Sequence, residues 1–250
     1  MSKDRGLAVV TGASSGIGWA TVERLVAEGF RVIAGARRVE RLDELAERTG
    51  CTARALDVTD PDSVATFTED IGALNVLVNN AGLASGLSPL PEIEDERLQV
   101  MWNTNVMGVL RVTRALLPQL EESERGHIVN IGSIAGRDVY VGGGGYTATK
   151  HALRAVSQTM RLELLGKPIR ITEIAPGLVE TEFSVVRFDG DVERAKELYE
   201  GVRPLVADDI ADCVTWAVTR PPHVNVDELV VRPLAQSPSG VVHRRPIPGL

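Results

Sequence analysis

Short apolar runs recur along the chain at 7–10, 31–34, 53–56, 76–78, 127–131, 169–174 and 229–231, with stretches of helix length between them. Strand-like runs alternating with helix-length segments predict a parallel α/β sheet, each crossover a helix packed on it. The intervening segments carry helical spacing: Ile17, Ala20, Thr21, Leu25 and Val26 in one, Leu42, Leu45 and Ala46 in the next, and Val106, Val109, Leu110, Leu116 and Leu117 in a later one. Asp60-Pro61 followed by Asp62 and Ser63 predicts a capped helix start with proline in the first turn, and Gly29 and Gly50 fall where helices should stop.

Two stretches depart from this rhythm. Residues 178–201 are highly charged and too long for an ordinary connection, which predicts a lid or substrate loop. The tail, 232–250, has prolines at 233, 238, 246 and 248 and is expected either to fray or to pack across a neighbouring subunit. No linker, internal repeat or shift of composition divides the 250 residues, so one domain over 1–250 is expected.

Composition narrows the possible partners. Lys plus Arg number 27 against 34 Asp plus Glu, a net charge of −7, which argues against a nucleic-acid binder. The apolar runs fall far short of the roughly 20 residues of a membrane span. The polar start leaves no room for a secretory signal, so a cytoplasmic protein is expected. Two cysteines and four scattered histidines offer neither a disulfide framework nor a metal cluster, and no metal is expected.

Candidate chemistry starts behind the first run, where Thr11-Gly12-Ala13-Ser14-Ser15-Gly16-Ile17-Gly18 leads into a helical pattern. Strand, glycine loop and helix together suit a pyrophosphate: glycines let the backbone approach the oxygens, and a helix N-terminus presents free N–H groups with partial positive charge. The spacing, Gly-x-x-x-Gly-x-Gly, departs from the commoner Gly-x-Gly-x-x-Gly, and a bare glycine turn is the alternative. After the second run the chain reads Gly35-Ala36-Arg37-Arg38, lacking the acidic residue that would bond a ribose 2′-hydroxyl. Arg37, with Arg38 beside it, can instead hold a 2′-phosphate, which points to NADP(H); two solvated helix-opening arginines are the alternative. Further on, Tyr146 and Lys150 are four residues apart and share a helix face, where an ammonium would favour the phenolate of a proton-transferring tyrosine. Ser133 follows a strand whose C-terminal end is the usual ligand edge of such a sheet. Alone, a Tyr-x-x-x-Lys is more often a surface pair.

In order and spacing, the glycine loop from Thr11 to Gly18, Asn79-Asn80-Ala81-Gly82, Asn105 in Asn-Thr-Asn-Val-Met-Gly, Ser133, Tyr146-x-x-x-Lys150 and Pro176-Gly177 resemble the short-chain dehydrogenase/reductase family across essentially the whole chain. The resemblance implies a doubly wound, Rossmann-type sheet of seven strands without a separate substrate domain. It implies Tyr146 as general acid or base, Lys150 lowering its pKa and bonding the nicotinamide ribose, Ser133 orienting the reacting oxygen, and Asn105 supporting a water-linked path to Lys150. Gly12, Ser14, Ser15, Gly16, Ile17 and Gly18 would cradle the cofactor. Asp57 and Val58 would hold its adenine, Asn80, Ala81 and Gly82 would line it, and Pro176, Gly177, Val179 and Thr181 would surround the nicotinamide. His127 is expected to be structural.

Within the family, 177–191, 222–225 and Arg232-Pro233 look like the NADP-dependent 3-hydroxy acid and serine dehydrogenase branch, with clavulanate-pathway dehydrogenases similar in the same region. The expected activity is therefore interconversion of a secondary alcohol and a carbonyl with NADP(H), on a small 3-hydroxy acid, with Arg187 as a carboxylate partner or else a solvated loop residue. The competing readings are a carbonyl reductase of a secondary-metabolite pathway, a non-catalytic NADP-sensing regulator and a nucleotide-sugar epimerase or dehydratase, for which the chain is short. The family further implies a homotetramer built on helices at 95–121 and 146–165, with Val109, Val112, Leu116, Leu153, Val156 and Leu164 too numerous for the sheet-facing side alone.

Overall fold

Residues 4–249 are described by a computed structural model. All seven apolar runs are strands, with ends within two residues of those expected: β1 Leu7–Thr11, β2 Arg31–Ala36, β3 Thr52–Ala55, β4 Val76–Asn79, β5 Gly126–Ile131, β6 Ile169–Pro176 and β7 Glu228–Val231. They form one sheet in the order β3-β2-β1-β4-β5-β6-β7, every neighbouring pair parallel. Parallel strands need a crossover between them, and helices supply it: α1 Gly16–Ala27, α2 Val39–Thr49, α3 Pro61–Thr68, α4 Asp95–Trp102, α5 Val109–Glu122, α6 Gly144–Glu163, α7 Glu182–Arg187, α8 Val192–Glu197 and α9 Ala207–Val218. The expected cap is present, with Asp60 accepting from the Asp62 N–H at 3.0 Å and Pro61 opening α3. Gly50 closes α2 in the left-handed region at φ 76°.

Two apolar layers cover the sheet. One joins Val10, Val32, Ala34 and Ile174 to Leu25 of α1, Leu42 and Leu45 of α2 and Ile210 and Val214 of α9. The other joins Val9, Leu77, Ile128 and Ile171 to Phe67 of α3, Val112 and Leu116 of α5 and Met160 of α6. Strand order reverses between β1 and β4, and the crevice at their C-terminal ends is where such sheets bind ligands.

Three expectations need correction. The helix expected at 95–121 is interrupted: a π-helical turn, Asn103–Gly108, separates α4 from α5. The apolar residues expected to face a partner are mostly internal, since Val109, Val112, Leu116 and Leu153 are buried in this chain's own core. The large exposed apolar side chains on and beside these helices are instead Val100, Trp102, Leu162 and Leu165. The described part of the tail does not fray but packs on this subunit. Gln236 pairs with Val242, the Gln236 side chain accepts from the Leu178 N–H at 2.8 Å, and Arg244 donates to the carbonyls of Leu198 and Glu200. It therefore straps the 178–201 segment, which contains α7 and α8. Among the described residues no helix is long and apolar enough to cross a membrane, and no cluster of His, Cys, Asp and Glu could hold a metal.

Candidate active site

A cavity of about 630 Å³ opens at the C-terminal ends of the strands. Its floor is the glycine loop. Gly12 and Gly16 turn the backbone at φ 66° and 54°, and a Cβ at Gly18 would overlap the Gly12 carbonyl. The Ser15 side chain makes no capping hydrogen bond to α1 and no acidic residue occupies the first turn, which leaves those N–H groups free for an anion. Asn80 serves the loop itself, its Nδ2 donating to the carbonyls of Thr11 and Gly12. Ser14, Ile17, Ala81, Gly82, Val179 and Thr181 line the same cavity.

Arg37 and Arg38 both line the cavity, but they differ in setting. Arg38 Nε donates to Ser14 Oγ at 3.2 Å and its Nη2 to Ser15 Oγ at 2.8 Å, while Nη1 pairs with Glu182 of α7 at 2.9 Å. Arg37 is exposed and acts on Asp57 through space. Partial burial disfavours the Asp57 charge, but bonds from the Thr59 hydroxyl and N–H, with Arg37 nearby, outweigh it and hold the carboxyl below its usual range. Val58 lies beside it in the cavity wall. The cradle, the two guanidiniums and the missing acid at the end of β2 fit a dinucleotide carrying a 2′-phosphate.

Ser133, Tyr146 and Lys150 converge at the other end of the cavity. Ser133 Oγ accepts from the Ala135 N–H at 3.1 Å and donates to the Pro176 carbonyl at 3.4 Å, and its nearness favours the Tyr146 phenolate. Lys150, 6 % exposed, donates from Nζ to the Ile131 carbonyl at 2.8 Å, and burial pulls its pKa from about 10.5 to about 8 against the opposing influence of Glu173. Burial pushes the Tyr146 phenol above its ordinary value of 10, with Arg187 and then Ser133 working in the opposite direction. The expected depression by Lys150 is thus replaced by one from Arg187, and burial outweighs it. Arg187 lies 5.1 Å from the Tyr146 ring centre, against 5.7 Å for Lys150 Nζ.

Asn105 belongs to the π-helical turn, which places it inward. Its Nδ2 donates to the Leu83 carbonyl at 2.8 Å and to Thr149 Oγ1 at 3.0 Å, and its Oδ1 accepts from the Leu83 N–H. Pro176 and Gly177 end β6 at the cavity wall, with Gly177 set against Gln236 of the tail. Arg187, at the end of α7, donates to Tyr140 Oη at 3.0 Å and lies 5.4 Å from the Phe183 ring centre, while its buried Nε has no partner. His127 is fully buried, with Nε2 2.8 Å from Thr172 Oγ1, well away from this chemistry and as expected structural.

Sequence reasoning did not single out Tyr140, Arg137, Glu173, Glu182 or Gln236. For Glu173 a signal was present, a charge within the otherwise uncharged end of a strand. The others depend on loops meeting across the cavity, which no local pattern reveals.

The chain matches the family model described as short chain dehydrogenase over residues 6–191. It is 53 % identical over 231 residues to an uncharacterised oxidoreductase of Mycobacterium tuberculosis, covering 92 % of each chain. It is 43 % identical over 247 residues to an NADP-dependent 3-hydroxy acid dehydrogenase of Salmonella typhi, covering 95 % of this chain and 99 % of that one. A solved structure of the closed form of serine dehydrogenase complexed with NADP+ superposes with a TM-score of 0.91 at 40 % identity, covering 96 % of this chain and all of that one. The fold, the order of the motifs and these likenesses together make the chain a member of the short-chain dehydrogenase family.

Proposed function

We propose that the chain is an NADP-dependent oxidoreductase that interconverts a secondary alcohol and a carbonyl on a small 3-hydroxy acid. The observation that carries the reading is the convergence of Ser133, Tyr146 and Lys150 beside a glycine cradle, with Arg187 above them. Gly12, Ser14, Ser15, Gly16, Ile17 and Gly18 would receive the pyrophosphate, Arg37 and Arg38 the 2′-phosphate, and Asp57 and Val58 the adenine side. Asn80, Ala81, Gly82, Pro176, Gly177, Val179 and Thr181 would flank the remainder. When bound, the nicotinamide supplies the hydride acceptor or donor.

The chain's own residues handle the proton and the orientation. Ser133 holds the reacting oxygen, and Tyr146 Oη takes its proton in oxidation or returns it in reduction. Lys150 stabilises the phenolate, and Asn105 orders the Leu83 and Thr149 groups behind it. The 178–201 segment is the lid of a single domain, and the tail holds it in place. Closing it excludes water and brings the unpartnered Nε of Arg187 to a substrate carboxylate, for which a planar guanidinium is well matched. We place the enzyme in the cytoplasm as a homotetramer.

The test is turnover of NADP and NADPH with 3-hydroxy acids, their keto counterparts and neutral alcohols of similar size. Turnover of the acids in preference to the neutral compounds supports the reading. NADPH binding without turnover of any substrate would mean a sensor instead.

A further inference from the structure

Glu173 lies within β6 at 1 % exposure. Nη1 of Arg137 donates to its Oε1 at 3.1 Å, and the same Nη1 donates to the Ser133 carbonyl at 3.3 Å. Nη2 of Arg137 meets Glu228 Oε2 on β7 at 2.9 Å, and Glu228 Oε1 accepts from Arg154 Nε on α6 at 3.2 Å. Two cations and two anions thus run from β6 to α6, yet Oε2 of Glu173 is left without a hydrogen-bond partner among the described residues. An unsatisfied buried carboxylate oxygen is costly and calls for a reason.

Its position supplies one. The carboxylate rests against Gly132, where any Cβ would overlap Oε1 and come within 2.9 Å of Cδ. Gly132 lies between Ile131, whose carbonyl accepts from Lys150, and Ser133. The one hydrogen bond that Lys150 makes is to that neutral carbonyl, so it lacks the close anion that a buried ammonium normally requires. The ionisable groups around it are Tyr146 and Arg154 on its own helix, Glu173 on β6, Glu228 on β7, Arg137 in the turn after β5 and Arg187 on α7. Of these, Glu173 is the anion whose charge favours the ammonium, while burial pushes the Glu173 carboxyl itself above its usual range against Arg137 and, last, Lys150.

We propose that Glu173 and Arg137 are positioning residues for the reaction, the guanidinium fixing the Ser133 backbone and the carboxylate supplying the negative charge that keeps Lys150 an ammonium. The proposal rests on the roles of Ser133 and Lys150 given above.

The chain has four lysines, at 3, 150, 167 and 196, so NMR of isotope-labelled lysine follows Lys150 directly in the NADP-loaded enzyme. Glu228 still pairs with Arg137 in Glu173→Gln, which should therefore fold. Removing the charge should lower the Lys150 midpoint by about one pH unit and move the alkaline limb of the kcat profile down by a similar amount. Glu173→Asp should restore most of both. A folded Glu173→Gln with midpoint and limb unmoved overturns the proposal. Should that variant fail to fold, the Glu173 carboxyl resonance of the unaltered enzyme, assigned by its loss in Glu173→Asp, decides the matter. It should show a second step at the Lys150 midpoint that vanishes in Lys150→Met, and a resonance without that step overturns the proposal equally. Full activity in Lys150→Met would instead overturn the role of Lys150 itself.

Discussion

Tyr146 keeps its phenol where burial opposes ionisation, so in the proposed role of a base it needs cations at hand. Removing the hydroxyl by Tyr146→Phe should lower kcat by about two to four orders of magnitude, the usual share of a positioned acid or base, while NADPH still binds by titration. Lys150 carries a cost in stability. Its pKa falls from about 10.5 to about 8 on folding, so the unfolded chain binds more protons between those values and the native enzyme gains stability as pH rises through that window. Lys150→Met should therefore be inactive yet melt higher than the parent at pH 7, and thermal melts should show the difference shrinking between about pH 8 and 10.5. At the other end of the cavity, Arg37→Ala and Arg38→Ala should each erode the NADP preference about ten- to a hundredfold in kcat/KM, the worth of a charge-assisted phosphate contact. Equal kcat/KM for NAD and NADP in the unaltered enzyme would exclude a phosphate-holding role. The arginine pair was legible because an expected acid is missing at Ala36; that Arg38 also grips Ser14, Ser15 and Glu182 was not, because those partners lie up to 144 positions away.

The elements divide by how local their causes are. The strands could be read from the sequence because continuous apolar runs have one stable use in such a chain, and α3 because Asp60 and Pro61 specify its start. The π-helical turn could not, since its residues keep ordinary helical spacing and only tertiary packing places Asn105 among Leu83 and Thr149. The tail escaped for a related reason: it has no periodicity, and its hold on the 178–201 segment rests on single polar side chains. One of these is open to test. Gln236→Ala removes the bond to the Leu178 N–H, worth about 0.5–1.5 kcal/mol, and should raise substrate KM about two- to tenfold with the NADP dissociation constant unchanged. A change in cofactor affinity alone would show that the strap serves the other end of the cavity. For the lid, Arg187→Ala should lower kcat/KM selectively for a carboxylate-bearing substrate, whereas equal losses on a neutral one would assign the residue to stabilising α7 through Tyr140.

On the scale of the molecule, Val100 and Trp102 on α4 and Leu162 and Leu165 at the far end of α6 are exposed apolar side chains on and beside the two helices of the proposed homotetramer. Sedimentation at micromolar concentration should show the tetramer, and Leu162→Glu with Leu165→Glu should shift it to smaller species while leaving the sheet intact; a stable monomer of the unaltered chain refutes the assembly. The fold class was legible from alternation alone, whereas the face that meets a partner was not, because Val112 and Leu116 are equally apolar and belong to the interior.

The strap made by 236–244 also bears on how the protein comes into being. The glycine loop, Arg37 and Arg38 all lie within the first 60 residues, on strands that pair with their sequence neighbours. The substrate end is finished only by β7 and the residues after it, since Gln236 and Arg244 secure the 178–201 segment. During synthesis, a chain grown only to residue 230 would have the proposed dinucleotide cradle but not the strap over the 178–201 segment. In the proposed function, catalytic competence would thus wait on the strap, after the residues proposed to hold the cofactor have been made.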